Sequence, residues 1–301
     1  MKEAWLFPAG DLPVLARPSE PNFESLKRPL WSEGKAKLIQ TYLRLFTFVT
    51  KHGAYIDGFA APQRRDMPEL CSAKLVLEAE PKRIRDVWLC DIDPGGVESL
   101  RVLAEEHRSK ARRVHVLQGD FNATVAEVLA SPRIRPTTAT FALLDQRKNE
   151  CAWDTVRRLA AHKPSLGACE TKVELFYFLA TGWLDRAIAS VQRPETESEY
   201  ERWWGRADWR ELGGMQGILR ANLFVERFRN EFGYKSVRPY AIHDRKQGGR
   251  IMYHMIHATD HPDAPKLMLR AYRKVSGRGD LDPAAAQADL EELWLDARGD
   301  A

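Results

Sequence analysis

The sequence predicts an α/β protein with a Rossmann-like fold, in which a mostly parallel seven-stranded sheet carries an inserted helical cap. Four short apolar segments each run into an aspartate, and these acids are Asp57, Asp91, Asp120 and Asp145. They are separated by 34, 29 and 25 residues, and each interval fits one strand–helix–strand unit of roughly 30 residues. Strands that alternate with helices in this way build a parallel sheet rather than an all-β or an all-α fold.

The composition is that of a globular protein with a small net charge. The 301 residues are 44% hydrophobic and 29% charged, and 46 basic against 42 acidic residues give a formal net charge of +4. This mild excess permits a nucleic-acid partner but does not predict one. The four cysteines form no CxxC pair, which predicts reduced thiols in a cytoplasmic protein. No apolar run reaches the roughly 18 residues of a membrane span, and the N-terminal residues lack a signal-peptide core.

The chain is predicted to divide into four regions. Residues 1–30 hold five prolines and few periodic apolar positions, which indicates an extended arm. Residues 31–181 form the Rossmann-like core. Residues 182–233, rich in tryptophan and charge, form the inserted helical cap. Residues 234–301 return to the core and supply its last two strands and the terminal helices.

The elements of the core follow from the spacing of apolar residues. A helix is predicted from Glu33 to about Lys51, with Ser32 as its N-cap and Gly53 just after its end. Its apolar face repeats at helical spacing, at Leu38, Ile39, Tyr42, Leu43, Phe46 and Val49. Five apolar runs predict the parallel strands, at residues 54–57, 86–90, 114–117, 138–144 and 172–180. The intervening helices are predicted within residues 64–80, from Pro94 onward, and at residues 121–130 and 151–161.

The last part of the chain is predicted to complete the sheet with an antiparallel pair of strands. An amphipathic helix over residues 218–232 ends at Gly233. Strands at residues 234–242 and 251–259 follow, and the polar stretch 244–250 between them is typical of a hairpin turn. A polar-faced helix is predicted at residues 282–300.

A ligand site is predicted at the turn after the first strand, because ligands of open α/β sheets bind beyond the carboxyl ends of the strands. Here the strand ends at Asp57, and Gly58, Phe59 and Ala60 form a tight turn that lets the backbone approach a ligand. A sulfonium nucleoside, S-adenosylmethionine, needs such a turn for its amino-acid part. The pattern therefore predicts a methyltransferase-type domain.

The later strand ends supply the other groups that this cofactor needs. Asp91 is predicted to accept hydrogen bonds from the ribose hydroxyls, because a carboxylate at the end of the second strand takes this place in nucleotide sites. Ile92 is predicted to cover one face of the adenine. Asp120 and Phe121 are predicted to flank the base. Asp145, after the fourth strand, is predicted to orient or deprotonate the methyl acceptor.

Two features oppose this interpretation. A cofactor-binding turn has two or three glycines, but Ala61 and Gln63 stand at two of these places. After the fourth strand, Arg147 and Lys148 replace the prolines and aromatic residue that amino-group methyltransferases usually place there. Acids at strand ends also cap the following helices, so a capping role for each acid stays open.

Two other groups of residues carry weaker predictions. His254 and His257 resemble a metal pair, but residues three apart in a strand face opposite sides, and no metal site is predicted. The four tryptophans of the cap, with their neighbouring arginines, are suited either to stacking nucleic-acid bases or to packing the cap itself. The packing interpretation is favoured. These tryptophans are Trp183, Trp203, Trp204 and Trp209.

Several short motifs resemble the three-Cys-motif partner proteins, a family of methyltransferase-like proteins. The matching segments are Trp31 to Lys35, Tyr42-Leu43, Tyr55 to Ala60, Cys71-Ser72-Ala73, Thr259-Asp260-His261 and the basic helix from Leu267 to Lys274. The resemblance implies a class I methyltransferase fold and a partner protein that bears a three-cysteine motif. It supplies no methyl acceptor. The family's turn has glycines at positions 61 and 63, and aspartate-proline-phenylalanine-glycine at positions 145–148, so this chain departs from the family at both ends of the site.

Three functions remain open from the sequence. The first, which is favoured, is an S-adenosylmethionine-dependent methyltransferase. The second is a methyltransferase-like scaffold that binds a protein or nucleic acid and has lost the cofactor site. The third is a protein that modifies or cleaves nucleic acid, for which the arginine-rich cap is the support.

Overall fold

The computed structural model describes residues 30–62, 71–163, 171–243 and 250–275. In these ranges seven strands form one sheet in the order β3-β2-β1-β4-β5-β7-β6. Most of the predicted N-terminal arm and hairpin loop, the turn residue Gln63 and the predicted C-terminal helix lie outside the described residues.

Strands β1 to β5 are all parallel, which confirms the predicted mostly parallel α/β sheet. Strand β7 lies between β5 and β6 and is antiparallel to both. Only β7 is therefore reversed, and the last two strands are antiparallel to each other as predicted. The bounds are β1 Gly53–Asp57, β2 Ile84–Asp91, β3 Arg113–Gln118, β4 Thr140–Leu144, β5 Glu174–Leu179, β6 Ser236–His243 and β7 Ile251–Thr259.

The helices cover both faces of the sheet. Helices α1, α2, α3 and α9 share one buried apolar cluster with the sheet, and α4, α5 and α8 share the other. This arrangement explains why the central strands are buried along their whole length. The bounds are α1 Leu30–Thr50, α2 Ser72–Glu78, α3 Pro94–His107, α4 Phe121–Leu129, α5 Trp153–Ala161, α6 Leu184–Ala189, α7 Pro194–Trp204, α8 Gly217–Phe232 and α9 Ala264–Val275, with a 3-10 helix at Ala207–Leu212.

Helix α1 carries the predicted apolar face, but its predicted N-cap is wrong. The helix already begins at Leu30, so Ser32 lies inside its first turn. At the other end it stops at Thr50, and Lys51 has a φ of +62°. A left-handed residue directly after the last turn ends a helix, so Lys51 and not Gly53 supplies the stop.

The segment between β5 and β6 is helical, as predicted. Its last helix, α8, packs against β6 and β7 as one of the layers of the core, whereas α6 and α7 extend to the carboxyl ends of the strands. Trp203, Trp204 and Trp209 are buried to 3% exposure or less, which confirms the packing interpretation for these three, whereas Trp183 is half-buried. The guanidinium of Arg227 lies 4.0 Å from the ring centroids of both Trp153 and Trp204, and this contact ties α8 to α5 and α7.

Three of the cysteines, Cys71, Cys90 and Cys151, are free and buried. Burial raises the pKa of the Cys71 thiol to about 11, as expected for a packed cysteine rather than a reactive one. Cys169 lies outside the described residues. Among the described helices, none combines the length and the apolar character needed to cross a bilayer.

Candidate functional site

A cavity of about 660 Å³ opens at the carboxyl ends of β1, β2 and β3. One wall consists of the strand ends and the first turn of α4, the second is the loop 147–150 after β4, and the third belongs to α6 and α7. The lining includes six of the predicted site residues, Gly58, Phe59, Asp91, Ile92, Asp120 and Phe121. Asp57, Ala60 and Asp145 are not part of the lining.

The turn after β1 is fixed by hydrogen bonds to both neighbouring strands. The amide of Gly58 donates to the carbonyl of Leu143 in β4 at 3.1 Å, and the amide of Ala60 donates to the carbonyl of Cys90 in β2 at 2.9 Å. The amide of Ala61 then donates to Oδ2 of Asp91 at 2.9 Å. The turn therefore lies across the ends of β2 and β4 and cannot move independently of the sheet.

The alanines in this turn are not strained. Among the described non-glycine residues, only Lys51 has a positive φ, so Ala60 and Ala61 adopt backbone conformations that alanine tolerates. Gly58 has no positive φ either. Its need for glycine comes from packing, because a Cβ atom on Gly58 would lie 2.6 Å from the ring of Phe121.

Asp91 is buried to 4% exposure at the edge of the cavity. Its Oδ2 accepts from Ala61, and its Oδ1 accepts from the amide of Asp93 at 2.9 Å. Nη2 of Arg147 lies 3.6 Å from Oδ2. Since each carboxylate oxygen accepts two hydrogen bonds, Asp91 retains capacity for the ribose hydroxyls it is predicted to bind.

The predicted adenine end of the site combines an exposed apolar side chain with a half-buried acid. Ile92 is 66% exposed and lines the cavity. Asp120 also caps α4, because its side chain accepts from the amide of Asn122 at 2.9 Å. Phe121 is almost fully buried and packs on the ring of Phe59, with the ring centroids 6.0 Å apart. Asn122, which the sequence did not single out, joins the lining because it lies in the first turn of α4, next to Phe121.

Asp57 is buried behind the turn, where it binds protein groups. Its carboxylate accepts from the hydroxyl of Tyr55 at 2.8 Å and from the amide of Phe59 at 3.2 Å. Burial raises its pKa from 3.8 to about 7, and the nearby charges of Asp145 and Asp91 also raise it. Asp57 therefore shapes the turn, and its raised pKa follows from its burial there.

Asp145 forms a buried ion pair with a lysine that the sequence analysis did not assign to the site. Nζ of Lys35 lies 2.6 Å from both carboxylate oxygens, and the two side chains are 6% and 12% exposed. The ammonium group also lies 5.5 Å from the ring of Phe178 and 5.8 Å from that of Tyr253. Asp145 is thus paired with a cation and does not line the cavity, whereas the sequence predicts that it orients or deprotonates the methyl acceptor. The available signal was that Lys35 continues the apolar stripe of α1, where a charge needs a buried partner.

The two histidines of β7 have separate partners. Nδ1 of His254 lies 2.8 Å from the hydroxyl of Thr181, and burial lowers its pKa to about 3. Nε2 of His257 lies 2.8 Å from Oε1 of Glu174, which also accepts from Tyr42. Each imidazole is therefore a buried hydrogen-bonding group of the core.

The strand order with one reversed strand, together with a cavity at the ends of β1 to β3, defines a class I methyltransferase-like fold. No family model matches the sequence, and no curated protein matches it either.

Several solved structures resemble the chain at low sequence identity. The protein LPL1258 of Legionella pneumophila is 12% identical, with a TM-score of 0.45 over 83% of this chain and 94% of that one. A methyltransferase from Geobacter sulfurreducens is 12% identical, with a TM-score of 0.39 over 77% and 79% of the two chains. TYW2 of M. jannaschii, solved in complex with AdoMet, is 10% identical, with a TM-score of 0.34 over 73% and 75%.

Proposed function

We propose that the chain binds S-adenosylmethionine in this cavity and transfers its methyl group to an acceptor. The observation that carries the proposal is the side-by-side position of Ile92 and Asp91 in one cavity. Ile92 offers an apolar surface to a planar base, and Asp91 offers carboxylate oxygens to ribose hydroxyls. A nucleoside presents both of these chemistries, whereas a purely polar ligand would leave Ile92 in water.

The proposed roles follow the walls of the cavity. The adenine lies on Ile92 with its amino group towards Asp120, the ribose lies at Asp91, and the amino-acid part lies over the turn at Gly58 and Phe59. The acceptor's lone pair attacks the methyl carbon while the carbon–sulfur bond breaks and its electrons pass to sulfur. Such a displacement depends mainly on alignment. The acceptor-orienting role predicted for Asp145 has less support, because Asp145 does not line the cavity and both of its oxygens contact Lys35.

The proposal is tested by titrating S-adenosylmethionine into the wild type and into Ile92→Asp. We expect binding in the micromolar range, weakened at least about tenfold by the substitution, since a base stacked on Ile92 buries apolar area worth about 1.4 kcal/mol or more. Val102→Asp is the matched control, because Val102 is 54% exposed on α3 and does not line the cavity. Absence of binding to the folded wild type, or an equal loss in both variants, would contradict the proposal.

A second candidate is a scaffold that keeps the fold without the cofactor. It is favoured by the internal partners of the acids, since Asp91 accepts two backbone amides and Asp145 pairs with Lys35. The resemblance to the three-Cys-motif partner proteins supports a partner with a three-cysteine motif in either case. Gel filtration of the chain mixed with such a protein tests that pairing. A direct nucleic-acid role has less support, because Trp203, Trp204 and Trp209 are buried and cannot stack on bases.

A further inference from the structure

Arg147 lies across the turn that follows β1, although it belongs to the loop after β4. Its Nη2 atom is 3.5 Å from the carbonyl oxygen of Ala61 and 3.6 Å from Oδ2 of Asp91. The side chain is 37% exposed and lines the cavity. The guanidinium therefore lies at the Ala61 end of the turn, in the same cavity as Gly58 and Phe59, over which the proposed function places the amino-acid end of the cofactor.

The turn itself has no backbone donor left for an anionic group. The amides of Gly58, Ala60 and Ala61 donate to Leu143, Cys90 and Asp91, respectively. The amide of Phe59 donates to Oδ1 of Asp57. All four amides from 58 to 61 are thus used inside the protein, and a carboxylate placed here needs a donor from another element.

Arg147 has the chemistry to be that donor. A guanidinium carries five N–H groups in a planar fork that matches the geometry of a carboxylate. Both of its contacts to Ala61 and Asp91 use the single Nη2 atom and are long for hydrogen bonds, so they hold the group loosely over the cavity. Lys148 also lines the cavity, but its ammonium is a point charge without this fork.

Resting on the proposed function, we propose that Arg147 is a specificity-determining residue that binds the carboxylate of the cofactor's amino-acid part. The arginine thereby replaces the donors that Ala61 and its neighbours no longer present. Alanine in place of glycine at Ala61 and arginine after β4 at Arg147 are then linked, because the second residue supplies the donor that the first no longer offers.

The test compares two probes that differ only in the amino-acid part. S-adenosylhomocysteine carries the carboxylate, and 5′-methylthioadenosine lacks it. Both are titrated calorimetrically into the wild type, Arg147→Ala and the control Arg101→Ala, because Arg101 is 52% exposed on α3 and does not line the cavity. We expect Arg147→Ala to weaken S-adenosylhomocysteine at least about tenfold, as the loss of a charge-assisted hydrogen-bond pair implies, while 5′-methylthioadenosine changes less than about twofold. Arg101→Ala should leave both affinities unchanged.

Three results would overturn the inference. Unchanged or tighter binding of S-adenosylhomocysteine to Arg147→Ala would show that the guanidinium does not hold the carboxylate. An equal loss for both probes would show that Arg147 only shapes the cavity. If the folded wild type binds neither probe, the proposed function fails, and this inference fails with it.

Discussion

The methyl group of Ala61 occupies the space that a side chain at position 96 would need, so that Ala61 requires glycine at Gly96. A Cβ atom on Gly96 would lie 2.4 Å from the Cβ atom of Ala61 and 3.0 Å from Oδ2 of Asp93. The methyl group that makes the turn after β1 unusual therefore fits because the first turn of α3 has a glycine opposite it. The turn after β1 therefore accommodates alanine at Ala61 without a steric clash.

This contact predicts a coupled pair of substitutions. Gly96→Ala should lower the free energy of unfolding by about 1–2 kcal/mol, because overpacking costs about 1–3 kcal/mol and the gain in helix propensity is about 1 kcal/mol or less. Gly96→Ala combined with Ala61→Gly should recover most of this loss, whereas Ala61→Gly alone should have a small effect. Urea unfolding of the four proteins measures the coupling. Purely additive effects would show that the two residues are independent.

The pKa of Asp57 predicts a component of stability that depends on pH. Its native pKa is about 7 against an ordinary value of 3.8, so the folded state binds more protons between pH 4 and 7. Stability contributed by the protonated acid is complete below about pH 4 and is lost as the pH rises towards 7, by up to about 1.4 kcal/mol per pH unit. Asp57→Asn should remove this pH dependence, since an amide side chain does not titrate. Its Oδ1 still accepts from the amide of Phe59, so the turn keeps this hydrogen bond.

The measurement must separate Asp57 from His254. The native pKa of His254 is lowered to about 3, so its contribution to stability rises with pH between about 3 and 6.5 and opposes that of Asp57. The free energy of unfolding of the wild type and of Asp57→Asn is therefore measured by chemical unfolding at each pH. We expect the difference between the two free energies to fall as the pH rises from 4 to 7. A difference that stays constant over this range would contradict the raised pKa of Asp57.

The buried pair of Lys35 and Asp145 predicts a large cost for removing one partner. Lys35→Met should destabilise the protein by about 3 kcal/mol or more, because it leaves an uncompensated buried carboxylate. Lys35→Met combined with Asp145→Leu should recover much of the stability. The matched control is Lys82→Met, because Lys82 and Glu80 are 3.7 Å apart but 56% and 69% exposed, and such pairs contribute little. Equal effects of Lys35→Met and Lys82→Met on the unfolding midpoint would contradict this account.

The fold could be predicted because its signals are local. The three intervals between Asp57, Asp91, Asp120 and Asp145 predict three parallel crossovers, and the apolar stripes predict the helices between them. The predicted start of α1 was wrong because serine is also tolerated inside a helix, and α1 begins two residues before Ser32, at Leu30. The position of β7 between β5 and β6 could not be derived from a hairpin pattern, since either strand could have paired with β5.

The position of the site could be predicted from the sequence, but the contacts between its side chains could not. Six predicted residues line the cavity because strand ends meet at one edge of the sheet. Lys35 and Asp145 are 110 residues apart, and Arg147 reaches Asp91 across the whole width of β1. Such pairs depend on tertiary packing and leave no periodic signal. Among the four acids, Asp120 caps a helix and the other three bind the turn, its neighbours or Lys35, a distinction that only the structure provides.

The most direct test of the account is calorimetric titration of S-adenosylmethionine into the wild type and Asp91→Asn. Asp93→Asn is the matched control, because Asp93 lies two residues further on and caps α3 through the amide of Gly96 at 2.7 Å. We predict micromolar binding that Asp91→Asn weakens at least about tenfold, as the loss of charge-assisted hydrogen bonds implies, and that Asp93→Asn leaves intact. A folded wild type that binds no S-adenosylmethionine, or one whose affinity does not depend on Asp91, would contradict the central claim.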